Sequence, residues 1–305
     1  MPKFDRATLL NQLESPQGMV HMVLDTDTYN EIDDQFALAY ALRSPERLLV
    51  DAVYAAPFFN SRSTGPADGM QRSYDEILKV FGLLGVDPAG RVFKGSTDYL
   101  ADERTPQDSD AARDLVRRAL AFTSRQPNER LYVVAIGAIT NVASAIILEP
   151  AIIDKIVVVW LGGHALNWPD TREFNLKQDP AAARVIFDCG VPVIHFPCFG
   201  VTTHLLTTIP ELEACLAHRS AIGDYLTEIV RGYTDAPFAW SKVIWDVVTI
   251  AWLINPAWVP TQIVPSPIVT EQVTWDFDAA RHPIRSATYL HRDPIFADLF
   301  RKLGE

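Results

Sequence analysis

Three short segments, LYVVAI at residues 131–136, KIVVVWL at 155–161 and VPVIHF at 191–196, are apolar almost throughout rather than at alternate positions. A strand with one wet face alternates, whereas a strand covered on both faces has no need to. Between these runs lie helical signals, such as Asp179-Pro180, with an N-cap residue followed by proline in the first turn. Strands and helices in alternation imply crossover connections, and crossovers build a parallel sheet. The pattern starts earlier: residues 48–56 and 91–94 read as strands, and 71–84 and 108–125 as helices. The expected fold is α/β, one doubly wound, mainly parallel, Rossmann-like sheet with helices on both faces. Past residue 201 helices dominate, at PELEACLAH, 221–232 and 241–254, with β-like pieces near Gln262, Val273 and Ala287. This tail reads as a helical C-terminal elaboration of a single domain over residues 1–305, since no repeat or Gly/Ser-rich linker divides the chain.

Ligands of open parallel sheets gather outside the carboxyl ends of the strands. The loops after Leu24, Ala56, Ile136 and Leu161 are therefore the ones that matter. The first belongs to residues 22–42, MVLDTDTYNEIDDQFALAYAL, in which Asp25, Asp27, Glu31, Asp33 and Asp34 fall within ten residues where a strand gives way to a helix. Two carboxylates would cap that helix and complement its dipole. Five exceed that need, and unit charges about 4 Å apart repel by roughly 4 kcal/mol at an effective dielectric of about 20. A bound cation relieves the repulsion, and an all-oxygen donor set favours Ca²⁺ or Mg²⁺ over Zn²⁺. The competing reading is a capped helix with solvated acids. The other loops offer Asn60, the Ile136 carbonyl before a glycine, Asn167, Glu173 and Asn175. Asp246 stands alone in the apolar KVIWDVVTIAWLI, where it needs either a cation or the N-cap of the following helix as its reason.

In order and spacing these pieces resemble the calcium-dependent nucleoside hydrolases, whose opening motif is Asp-x-Asp-Pro-Gly-x-Asp-Asp at the end of the first strand. The resemblance is carried by DTDTYNEIDD, AIGAITNVASAIILEP at 135–150, LGG at 161–163, REFNLKQDPAAARVIF at 172–187 and Trp245-Asp246, and it covers most of the chain. It implies a Ca²⁺ held by Asp27, Asp34, Asp246 and the backbone carbonyl of Ile136, with Asp27 accepting a proton from the attacking water. Asp33 and Asn175 would take the ribose 2′- and 3′-hydroxyls, and Asn167 and Glu173 the 5′ end. The partner it implies is a small-molecule nucleoside, and the chain would be a homodimer or homotetramer.

Three departures stand out. Five residues, 28–32, separate Asp27 from Asp33 where the family has three including Pro-Gly, so Asn30 or Glu31 either enters the site or bulges outward. The family's Gly-Asn after the second strand is missing at Ala56-Pro57, leaving Asn60 as the substitute. Pyrimidine-accepting members carry His before the last aspartate, whereas this chain has Trp245, which resembles the purine-preferring branch with a Trp stacked on the base. The implied role is purine salvage. Rival base platforms are Trp168, Trp240, Phe58 and Phe59, and His164 and His204 are candidate acids for the leaving base. Residues 57–69 and 233–240 are candidate lids.

Two alternatives use the same residues. Apolar-Asp-x-Asp-Thr also resembles the haloacid-dehalogenase-type phosphatases, with Asp25 as nucleophile and Asp27 as acid/base, although no late acidic pair follows. A remodelled loop could also leave an inactive homologue that binds a nucleoside or sugar without cleaving it. Net charge excludes other classes: at −11, with no basic patch, neither nucleic acid nor an anionic membrane is an expected partner. The N-terminal stretch reads as an amphipathic helix rather than a secretion signal, and no apolar run is long enough to span a bilayer. Cys189, Cys198 and Cys215, odd in number and without metal-like spacing, read as reduced thiols of a cytoplasmic protein.

Overall fold

A computed structural model describes residues 5–123 and 129–305. The chain runs through α1 (Arg6–Gln12), β1 (Val20–Thr26), α2 (Asp34–Leu42), β2 (Leu48–Ala55), α3 (Pro66–Leu84), β3 (Val92–Lys94), α4 (Asp110–Ala121), β4 (Leu131–Ala135) and α5 (Thr140–Leu148). It continues through β5 (Ile156–Leu161), α6 (Phe174–Gln178), α7 (Pro180–Asp188), β6 (Val193–Phe196), β7 (Leu206–Thr207), α8 (Ile209–Cys215) and α9 (Ala221–Arg231). The last elements are β8 (Lys242–Val243), α10 (Val247–Ile254), β9 (Thr261–Pro265), β10 (Ile268–Val269), β11 (Trp275–Asp276), β12 (Pro283–Ala287) and α11 (Arg292–Gly304).

Eight strands form one sheet in the order β3-β2-β1-β4-β5-β6-β12-β9, parallel except for β9, which pairs antiparallel with β12. Every residue of β4 and β5 is buried, which is why these strands are apolar at consecutive positions. Successive side chains enter opposite layers: Val134 and Val157 join the core under α2, α10 and α11, while Val133 and Val158 join the core under α4, α5 and α7. The strand order reverses beside β1. From β1 the chain winds outward through β2 and β3, and β4, β5 and β6 extend on the other side. The connections after β1 and β4 lead to helices on opposite faces, and a crevice opens between them at the carboxyl edge.

The fold class matches the expectation, with four local differences. The tail is more than a helical elaboration, because β12 adds in parallel beside β6 and β9 closes that edge. Helix α3 starts at Pro66, so part of the expected 57–69 loop is helical. A short helix, α6, lies within the segment read as a loop after β5. Finally, α10 begins at Val247 rather than 241, because Lys242 and Val243 pair with Thr207 and Leu206 instead. The expected 108–125 helix is α4, and residues 124 and 125 lie outside the described residues. Among the described residues no helix is long and apolar enough to cross a membrane.

Candidate active site

β1 carries its buried residues straight into the acidic loop. Asp25, still in the strand, is wholly buried and accepts a hydrogen bond from Asn141 Nδ2 of α5 at 2.7 Å. Burial raises its carboxyl to about 7, partly offset by that bond. It does not line the cavity described below, which argues against Asp25 as a phosphatase nucleophile. Next to it Thr26 Oγ1 donates to Asp34 Oδ1 at 2.5 Å, fixing the first turn of α2 against the strand.

Asp33 precedes α2 and Asp246 precedes α10, each at the N-cap position, yet neither side chain makes a capping hydrogen bond. Capping therefore fails to explain either residue. Instead, oxygens of Asp33, Asp34 and Asp246 converge within 4.8 Å of one another, all three residues being buried. α2 and α10 pack together, and the positive ends of both helix dipoles face this group. Asp27 sits beside it, wholly buried, and neither of its carboxylate oxygens has a hydrogen-bond partner among the described residues. Its close neighbour is Gly137, where a Cβ would lie 3.0 Å from the Asp27 Cγ and press on that carboxylate.

The electrostatics follow from crowding in a dry place. Burial first, then the charges of Asp34, Asp33 and Glu173, push Asp27 well above the usual carboxylate range. Asp246 is raised by burial and by Asp33, Asp34 and Asp27. Asp34 is raised to about 8 by burial and Asp33, against the Thr26 hydrogen bond. Asp33 is raised by burial, opposed by the Lys242 ammonium. Such a group holds either protons or a cation. All its donors are oxygens, and two buried oxygens of Asp27 want a partner, so the residues fit a hard ion such as Ca²⁺.

The acids floor a cavity of about 210 Å³. Ile136 and Asn175 line it together: Asn175 Nδ2 donates to the Ile136 carbonyl at 3.1 Å and to the Leu161 carbonyl at 3.0 Å. Both amide hydrogens are thereby used, leaving Asn175 Oδ1 as an acceptor. Glu173 lines the same wall but is also a cap. Its carboxylate accepts from the backbone N–H of Gly163, Asn175 and Leu176 at 2.8–3.0 Å, which starts α6 and ties it to the loop after β5. Trp245 and Phe199 also line the cavity, their rings 5.6 Å apart and nearly edge to face, and Phe199 in turn stacks on His164, a further lining residue, at 4.6 Å.

Three expected residues do not line this cavity. Asp27 is wholly buried beside the Asp33, Asp34 and Asp246 group rather than on the cavity surface. Asn167 is exposed and faces a separate cavity beside Gly200 and Gln262. The loop after β5 turns it away by bonds from Trp168 N to the Ala165 carbonyl at 2.8 Å and from Ala165 N to the Phe199 carbonyl at 2.9 Å. Asn60 stands behind the wall, donating to Asn30, which does line the cavity, as does Glu31. The extra length of the acidic loop thus turns inward. Lys242 pairs with the Glu31 carboxylate and Arg62 donates to its carbonyl at 2.9 Å, so the loop is anchored from two sides. Of the rival platforms, Phe58 is core, Phe59 is exposed, Trp240 packs on Tyr233, and Trp168 lies against Phe199 outside the cavity. His204 is exposed against Tyr289, away from the acids. Phe199 lines the cavity without any sequence pattern having marked it, and Arg172 and Phe174, inside the 172–187 motif but given no role there, line it too.

A pyrimidine-specific ribonucleoside hydrolase, RihA, of Citrobacter koseri is 27% identical over 251 residues, covering 73% of this chain and 76% of that protein. RihA of Klebsiella pneumoniae is 29% identical over 266 residues, covering 77% and 79%. Among solved structures, a plant nucleoside hydrolase, PpNRh1, aligns with a TM-score of 0.73 at 20% identity, covering 95% of this chain and 99% of its own. A purine-preferring ribonucleoside hydrolase from Gardnerella vaginalis aligns with a TM-score of 0.75 at 21% identity, covering 93% and 98%. These two structures show the shared fold. The model of the family described as inosine-uridine preferring nucleoside hydrolase matches residues 22–292, and the chain belongs to that enzyme family.

Proposed function

We propose that the protein hydrolyses the N-glycosidic bond of purine ribonucleosides, releasing ribose and the free base. The observation that carries this reading is the pair of unpartnered, buried Asp27 oxygens beside Asp33, Asp34 and Asp246, the last three of which line a cavity shared with Trp245 and Phe199. Asp27, Asp34, Asp246 and the Ile136 carbonyl would hold the Ca²⁺, with Asp33 close enough to share it. When bound, the ion supplies positive charge that acidifies a water molecule at neutral pH.

The remaining chemistry belongs to the side chains. Asp27 takes the proton as water adds to the anomeric carbon. Positive charge grows on the sugar as the base departs with the bonding electron pair and takes its proton from solvent, and the ring of carboxylates stabilises that charge more than the neutral substrate. Asp33 and the free Oδ1 of Asn175 accept from the ribose hydroxyls, and Glu173 holds the wall facing the 5′ end. Trp245, backed by Phe199, stacks on the base. His164 lines the cavity beside Phe199, but burial holds it below the ordinary imidazole pKa, so at neutral pH it seldom carries a proton for the base.

The purine preference rests on the aromatic wall. The RihA relatives are named pyrimidine-specific, which makes uridine and cytidine the controls that matter. The reading extends to a single functional unit over residues 1–305, a homodimer or homotetramer, serving purine salvage in the cytoplasm. The test is reducing-sugar release from inosine, adenosine, guanosine, uridine and cytidine, with and without a chelator. Purine cleavage that stops on chelation is expected. Release from pyrimidines alone overturns the preference, and calcium-independent release overturns the metal's role.

A further inference from the structure

The longer acidic loop brings in a residue that no family motif supplies. Asn30 is 7% exposed, lines the cavity beside Asp33 and Asp34, and is held through three of its four polar groups. Its N–H donates to the Asp27 carbonyl at 2.7 Å. Its backbone carbonyl and its Oδ1 both accept from Asn60 Nδ2, at 3.3 Å and 2.7 Å.

The orientation of this amide follows by elimination. The Arg62 backbone N–H is a donor whatever the side chains do, and it meets Asn60 at 2.8 Å, so the atom it meets must be Oδ1. Asn60 therefore presents Nδ2 to Asn30, and the Asn30 atom facing it must be an acceptor. That leaves Asn30 Nδ2 with no acceptor among the described residues, on a nearly buried side chain at the cavity wall.

A vicinal diol needs what this corner offers. Each hydroxyl both donates and accepts, whereas carboxylates and the free Asn175 Oδ1 can only accept. Building on the nucleoside-cleaving reading above, we propose that Asn30 Nδ2 donates to a ribose hydroxyl oxygen whose own hydrogen goes to a neighbouring carboxylate. Asn60 is its positioning residue and does not touch the substrate.

Two measurements on the Ca²⁺-loaded protein test this assignment. The first is calorimetric titration with D-ribose, comparing wild type with Asn30→Ala. The second is kcat and KM for inosine, 2′-deoxyinosine and 3′-deoxyinosine. Asn30→Ala is expected to weaken D-ribose at least about tenfold and to shrink discrimination against one of the two deoxy substrates by a similar factor. Asn60→Asp keeps the acceptor for Arg62 but removes the donor, so it should raise KM several-fold, change kcat less and leave calcium affinity unaltered. Equal D-ribose affinity in wild type and Asn30→Ala, including binding to neither, overturns the assignment, as does unchanged discrimination against both deoxy substrates. A wild type that cleaves no nucleoside would refute the functional reading alone, since the D-ribose comparison still decides the role of Asn30.

Discussion

Asn141 Nδ2 donates to Asp25 Oδ1 at 2.7 Å, tying the first turn of α5 to the end of β1 across the strand-order reversal. The same amide donates to the Ala55 carbonyl at 3.2 Å, and its oxygen accepts from the backbone N–H and hydroxyl of Ser96 at 2.7 Å. One side chain thus serves β1, β2 and the loop after β3. Replacing it by alanine strands several buried polar groups. Asn141→Ala is expected to lower stability by about 2–4 kcal/mol. Urea unfolding of the calcium-loaded protein measures it, and a loss under about 1 kcal/mol would show that water replaces the amide.

Asp246 makes no capping bond and faces Asp33 and Asp34. Asp246→Ala should weaken calcium at least about a hundredfold in direct titration, because a small hard-cation site loses one of few anionic ligands. Asp25→Asn, by contrast, should leave calcium binding intact. Equal effects of the two changes would mean that the ion sits nearer the strand than the carboxylate group indicates.

Protonation gives a third expectation. Asp34 is shifted from 3.8 to about 8, and Asp27, Asp33 and Asp246 move the same way. A carboxyl whose folded pKa exceeds its unfolded value contributes stability that is complete below the unfolded value and lost as pH rises through the folded one. Protein stripped of divalent cations should therefore lose stability as pH climbs from 3.8 to about 8. Calcium reverses the slope by favouring the ionised acids. Melting temperatures at about pH 5.5 and 8, with calcium and with chelator, give the comparison. A chelated protein that melts higher at the upper pH contradicts it.

Trp245→Ala should reduce kcat/KM for inosine roughly tenfold to a hundredfold, the worth of one stacked base, and uridine less. Phe199→Ala should follow the same order more weakly, since Phe199 supports Trp245 edge-on. Equal losses on both nucleosides would remove the stacking role.

What the sequence disclosed depended on how local the cause was. β4 and β5 are legible because burial on both faces writes itself into consecutive residues. β9 shows only as a β-like piece near Gln262, and its place at the sheet edge is not legible, because an edge strand with exposed positions and a terminal proline does not name its partner. Asp246 was conspicuous in apolar surroundings, but its place ahead of α10 depends on Lys242 and Val243 pairing with Thr207 and Leu206, a ladder too short to leave a period. Asn167 matches a motif position and still points elsewhere, because backbone bonds within its loop decide the direction. The inward course of residues 28–32 hangs on Asn60, Arg62 and Lys242, partners remote in sequence that no spacing rule connects.

The sheet is closed by β12, which docks on β6 only after α8, α9 and α10 have been laid down, and the last carboxylate of the acidic group stands at the head of α10. A ribosome-bound chain that has emerged only as far as β6 holds Asp27, Asp33, Asp34 and the Ile136 carbonyl but lacks Asp246. The complete set of carboxylates is therefore expected only once the C-terminal third of the chain has packed, so calcium binds as a late consequence of long-range strand pairing.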